Sequence, residues 1–139
     1  MKRLIASDLH GSARFCRQLL ERYQQEGAQQ LILLGDLVYA AKQVLRLAGD
    51  ALARAGDGEE VAVRRFVALT SWTFNLGEGN LATSTMLKRI KAGRWDDAAE
   101  EMLRWNKARV KGRLVELAGL TKRRRSEARF FRTGEVVLY

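Results

Sequence analysis

Proline is absent from the 139 residues, cysteine occurs once, at Cys16, and histidine once, at His10. Without proline no turn or helix start is set by a locked φ, so the punctuation falls to Gly56, Gly58, Gly77, Gly79, Gly93 and Gly112. A lone cysteine excludes an internal disulfide and fits a reducing compartment. Cys16 reads as a small packed hydrophobe. The longest apolar run, "LILL" with its neighbours, is far short of the roughly 20 residues of a membrane span, and "MKRLIASD" is too brief for a secretory signal. The expectation is a soluble chain made in the cytoplasm, with no signal peptide and no membrane-spanning segment.

Hydrophobic residues make up 47% of the chain, enough for the core of one ordinary domain or two small ones, so disorder is excluded. The net charge of +9 is unevenly placed. Arg104, Lys107, Arg109, Lys111, Arg113, Lys122, Arg123, Arg124, Arg125, Arg129 and Arg132 face only Glu116 and Glu127 in the stretch 104–132, and the rest of the chain is close to neutral. Such a segment attracts polyanions: nucleic acid, anionic lipid or the acidic polymers of a bacterial envelope. A solvated helix face would have the same composition.

Residues 2–6 alternate and end at "SD", as a strand does before a turn. Phe15, Leu19, Leu20 and Tyr23 have helical spacing, with Ser12 as a cap and Gly27 as a stop, giving a helix over 12–25. The apolar run 30–34, "QLILL", has strand length and stops at Gly35-Asp36. Together these predict a parallel β-α-β unit with the strand ends bearing Asp8 and Asp36 side by side. Beyond it the spacing predicts helices at 40–54, 60–75, 83–91, 95–104 and about 113–130, with "VVLY" as a candidate third strand. The fold class expected is mixed α and β, mainly α, divided into residues 1–39 and 40–139, with the β-α-β unit packed on a helical bundle.

Asp8 and His10, two residues apart at a strand end, can share a divalent ion, and a carboxylate from the neighbouring strand can bridge to another, as in two-metal hydrolases. "SDLHGS" followed by "LLGDLVY" resembles the opening of the calcineurin-like metallophosphoesterases. The resemblance implies that Asp8 and His10 bind one metal and that Asp36 bridges to a second. That family also needs further histidines, which this chain lacks. Asp8, His10 and Asp36 would therefore hold at most one Mn²⁺ or Zn²⁺.

A second set of motifs spans about residues 64–133: the "FNLGEGN" turn after a helix, "STMLKRIKAGRWDDAA", "RWNKA" and "GLTKRRRSEARFF". Their order resembles the helical lobe of phage-type lysozymes, the endolysins that cleave bacterial cell-wall glycan. Trp72, Phe74, Leu76, Leu81, Met86, Leu87, Ile90, Trp95, Ala98, Ala99, Met102, Leu103 and Trp105 recur at three- and four-residue spacings, as helices around one core require. The resemblance implies that Phe74, Thr85 and Glu101 line a saccharide cleft, that peptidoglycan or another anionic polymer is the partner, and that no cofactor is required.

Glycoside hydrolysis needs a carboxylic acid and a second group a defined distance away. In phage-type lysozymes a Glu on the first helix is followed, after eight intervening residues, by Asp or Cys and, after five more, by Thr. None of Glu21, Glu26, Glu59 or Glu60 begins this pattern, and the first threonine is Thr70. Three readings stay open at this point. The chain binds or hydrolyses peptidoglycan, it is a metal-dependent phosphoesterase, or it is a recombined scaffold without catalysis.

Overall fold

The structure is a computed structural model that describes residues 28–139, with side chains from residue 35 onward. Six helices and one hairpin follow in order: α1 (Ala28–Arg54), α2 (Glu59–Leu76), α3 (Glu78–Thr83), α4 (Thr85–Lys91), α5 (Trp95–Leu103), β1 (Lys107–Val110), β2 (Arg113–Glu116) and α6 (Ala118–Thr133). Among the described residues no helix is long and apolar enough to cross a membrane.

The first correction concerns 30–34. This run is the start of α1, a 27-residue helix, and not a strand ending at Asp36. A short apolar run has the same pattern in a buried strand and a buried helix. What decides is its continuation. Val38, Ala41, Val44, Ala48 and Leu52 are buried at three- and four-residue steps, Ala, Leu and Gln favour helix, and an established helix extends at little cost per residue. Gly35 is passed without a break, and α1 runs through residues 39 and 40. The strand 2–6 and helix 12–25 lie outside the described residues.

α2 packs most extensively on α1, and also on α6. Ala41, Ala48 and Ala51 of α1 and Ala62 and Ala68 of α2 are all buried, and side chains this small let two helix backbones approach closely. At its end α2 turns sharply into α3 through Gly77, whose φ of 93° lies where a Cβ is strained. The Ser84 hydroxyl caps α4 by accepting from Leu87 N–H at 3.0 Å. Around the fully buried Trp72 gather Phe66 and Leu69 of α2, Leu81, Met86, Ile90, Met102 and Phe131. Trp105 meets Trp72 edge-on, with centroids 5.3 Å apart and an interplanar angle of 78°. On the α5–α6 side, Trp95 packs on Phe131, and Arg65, paired with Asp57 at 2.8 Å, lies 3.9 Å over the Trp95 ring.

Two further expectations are corrected near the C-terminus. The helix expected from about 113 begins at Ala118, because 107–116 forms an antiparallel hairpin with Lys107 opposite Glu116 and Val110 opposite Arg113. Its two-residue loop places Lys111 at φ 52° and Gly112 at φ 79°, the left-handed pair that matches strand twist. The segment "VVLY" forms no strand. Among the described residues the sheet contains β1 and β2 only, and 134–139 is tied to α6 by Ser126 Oγ donating to the Val137 carbonyl at 2.6 Å, by Arg129 pairing with Glu135, and by Arg125 over the Tyr139 ring.

Candidate functional site

Phe74 sits in the last turn of α2 and is 38% exposed, whereas the other two aromatics of that helix, Phe66 and Trp72, are buried. It borders a hollow of about 250 Å³ lined by Leu37 and Ala41 of α1, Phe66, Val67, Thr70 and Ser71 of α2, and Arg123 of α6. The wall is therefore apolar on two helices, with one guanidinium at its rim. Helical spacing explains the set: positions 67, 70, 71 and 74 form one stripe of α2.

Arg123 is held in place from beneath. Its Nε lies 3.3 Å from Glu127 Oε2, and its Nη2 donates weakly to the Ser71 carbonyl at 3.4 Å. Glu127 also accepts from Ser71 Oγ. Arg124, fully buried, presents its Nε to Glu127 Oε1 at 2.9 Å, as an ion pair without hydrogen-bond alignment, and donates from Nη2 to Asn75 Oδ1 at 2.8 Å. Burial pushes the Glu127 carboxyl above the ordinary carboxylate range, against the pull of Ser71 and both arginines. Burial likewise lowers Arg124, against the attraction of Glu127. A single carboxylate thus organises two guanidiniums, one inside the bundle and one facing the hollow.

A cluster outside the lining of this hollow is one that sequence reasoning missed. Tyr39 of α1, 53% exposed, donates from its hydroxyl to Glu78 at the start of α3, and Arg46 reaches the other Glu78 oxygen at 3.5 Å. The bond to Glu78 is the main cause that raises the Tyr39 phenol above its usual value. The only sequence signal was position. Glu78 lies in the "LGEGN" turn four residues after Phe74, and Tyr39 falls between Leu37 and Ala41, but their meeting depends on how α1 crosses α3.

The other expected site residues are dispersed. Thr85 is the exposed first residue of α4, and Glu101 is half-buried on α5 with Arg104 at 3.7 Å. Neither lines the hollow that Phe74 borders. Asp8 and His10 lie outside the described residues. Asp36 is exposed on α1, so the strand-end geometry expected to aim it at a metal is replaced by helix. Among the described residues no three acidic, histidine or cysteine groups are placed to hold an ion. The basic segment is also less uniform than its sequence. Arg124 is buried, Arg129 pairs with Glu135 and Arg132 with Glu100.

Comparison with known proteins agrees with this architecture. The model of the phage lysozyme family matches residues 11–127. The endolysin of Acyrthosiphon pisum secondary endosymbiont phage 1 is 39% identical over 67 residues, covering 48% of this chain and 46% of that protein. The endolysin of Bacillus phage B103 is 42% identical over 76 residues, 55% of this chain and 27% of that protein. The chain thus spans less than half the length of these curated relatives. Among solved structures, an endolysin from Escherichia coli O157:H7 phage FAHEc1 superposes with a TM-score of 0.67 at 32% identity, over 80% of this chain and 66% of that one. The muramidase domain of SpmX from Asticaccaulis excentricus superposes with a TM-score of 0.59 at 32% identity, over 70% of this chain and 60% of that one.

Proposed function

We propose, from the premise that the chain belongs to the phage lysozyme family, that it acts on bacterial peptidoglycan and that the hollow bordered by Phe74 and Arg123 is where the glycan is held. The observation that carries this is the exposed Phe74 at the rim of an apolar hollow, in a fold shared with an endolysin and a muramidase domain. An aromatic face packs against the C–H face of a pyranose ring, and a guanidinium held by Glu127 meets the carboxylates that peptidoglycan carries. Lysozymes of this family need no cofactor, and no step here calls for one.

Binding is the part of the reaction these residues support. Cleavage needs an acid able to protonate the leaving oxygen. Among the described residues the carboxyl with the clearly raised proton affinity is Glu127, and it is enclosed by Ser71, Arg123 and Arg124. Its role is to position Arg123, not to deliver a proton to a sugar. With the family's Glu-Asp-Thr spacing not found in the sequence, the expected behaviour is retention on the cell wall with little or no cleavage.

The test is co-sedimentation of the purified chain with isolated peptidoglycan, with clearing of a cell-wall suspension followed in parallel. Phe74→Ala is expected to weaken sedimentation by about tenfold, in keeping with the ~1–3 kcal/mol of a stacked ring, while the fold is retained. Wild-type binding that survives both Phe74→Ala and Arg123→Gln would remove the hollow from the reading. Brisk clearing would show that an acid has been missed.

A further inference from the structure

The hairpin formed by β1 and β2 is unlike the rest of the surface. Its base is fixed, because Leu117 N–H donates to the Asn106 carbonyl at 3.0 Å and Asn106 Nδ2 donates to Thr121 Oγ1 at 3.1 Å. Beyond that base it is nearly bare. Leu114 is 63% exposed, Val110 43% and Val115 40%, and β1 and β2 make their main contacts with each other. Within the same ten residues stand Lys107, Arg109, Lys111 and Arg113 against the single acid Glu116, which lies opposite Lys107 at the base. None of these four cations has an ion-pair partner among the described residues.

The register distributes the two kinds of side chain over both faces. Arg109 lies opposite Leu114 on one, and Val110 opposite Arg113 on the other. Each face therefore offers an apolar side chain with a long cationic one directly across the ladder. At a lipid–water boundary that pairing is satisfied in full: the apolar groups enter the acyl region while the cationic heads extend back to the phosphates. A polyanion without an apolar region would leave Val110, Leu114 and Val115 unused. Nucleic acid would call for stacking aromatics, and 107–116 contains none. A second copy of the chain would set four cations against four. We infer that the hairpin is a docking finger for a net-anionic phospholipid surface.

The experiment is co-sedimentation of the full chain with vesicles of phosphatidylcholine alone and of phosphatidylcholine containing about one-third phosphatidylglycerol, at low and high salt. The expected result is binding to the anionic vesicles only. At low salt it should weaken by at least about tenfold in Arg109→Gln/Arg113→Gln, since each cation near such a surface contributes on the order of fivefold in affinity, and by a similar factor in Leu114→Asp. Phe74→Ala should leave it unchanged, which separates this inference from the glycan reading. Circular dichroism checks that each variant is folded, and Val110→Asp, on the opposite face, replaces any that is not. Equal binding to both vesicle types, or anionic binding that survives the charge and the apolar variants, would overturn the inference. So would binding to a single-stranded oligonucleotide, but not to vesicles, that the charge variant loses and Leu114→Asp retains.

Discussion

Glu127 is the residue on which most of the site's polar architecture converges, and its proton affinity sets how that architecture responds to pH. Its pKa is raised above the ordinary 4.5, with burial the largest cause. A raised folded-state value means that the folded chain holds this proton more tightly than the unfolded chain does. The stabilisation is therefore fully present below the unfolded value and is lost as pH rises through the folded one. Glu127→Gln removes that dependence. In thermal melts from about pH 4.5 to pH 7, the wild type should lose stability relative to Glu127→Gln as the pH rises. A wild type that instead gains on the variant would mean that Arg123 and Arg124 outweigh burial.

At the scale of elements, α1 poses the sharpest contrast between two readings of one peptide. As the turn after a strand, Gly35 would be wanted for its backbone freedom. Inside a helix it is a liability of about 0.5–1 kcal/mol relative to alanine, and a Cβ added there meets nothing within 4 Å. Gly35→Ala should accordingly raise the melting temperature by a few degrees, and a fall would restore the turn. The helices 59–76 and 95–103 were legible because their apolar residues recur over several turns between glycines. The run 30–34 was not, since five residues are too few to separate a period of 2 from one of 3.6. The hairpin had a readable signal, with β-branched residues on either side of Lys111-Gly112, but it was masked by the basic residues that continue into α6. The candidate hollow was legible in part. Phe74 could be found from its motif, whereas the meeting of Ser71, Arg123 and Glu127 requires α2 and α6 to be packed together.

Over the whole molecule the positive charge governs approach to any anionic partner. Within 104–132, because Arg124 is buried and Arg104, Arg123, Arg129 and Arg132 are paired, the solvent-facing surplus rests on the hairpin together with Lys122 and Arg125. Sedimentation with peptidoglycan should weaken on the order of tenfold or more between low and physiological salt if several of these make contact. Lys122→Gln/Arg125→Gln should reproduce part of that loss without unfolding the chain. Salt-independent retention would assign the affinity to the hollow alone. The bundle also joins parts of the chain that lie far apart in sequence. Arg64 of α2 donates from Nε to the Phe131 carbonyl at 3.2 Å and from Nη2 to the Arg132 carbonyl at 2.6 Å, satisfying acceptors that the end of α6 would otherwise turn to water. The last turn of a helix ordinarily frays. Here the final turn of α6 is tied to α2, so its release is coupled to the opening of the bundle, and amide hydrogens there should exchange with solvent as slowly as those of the core helices.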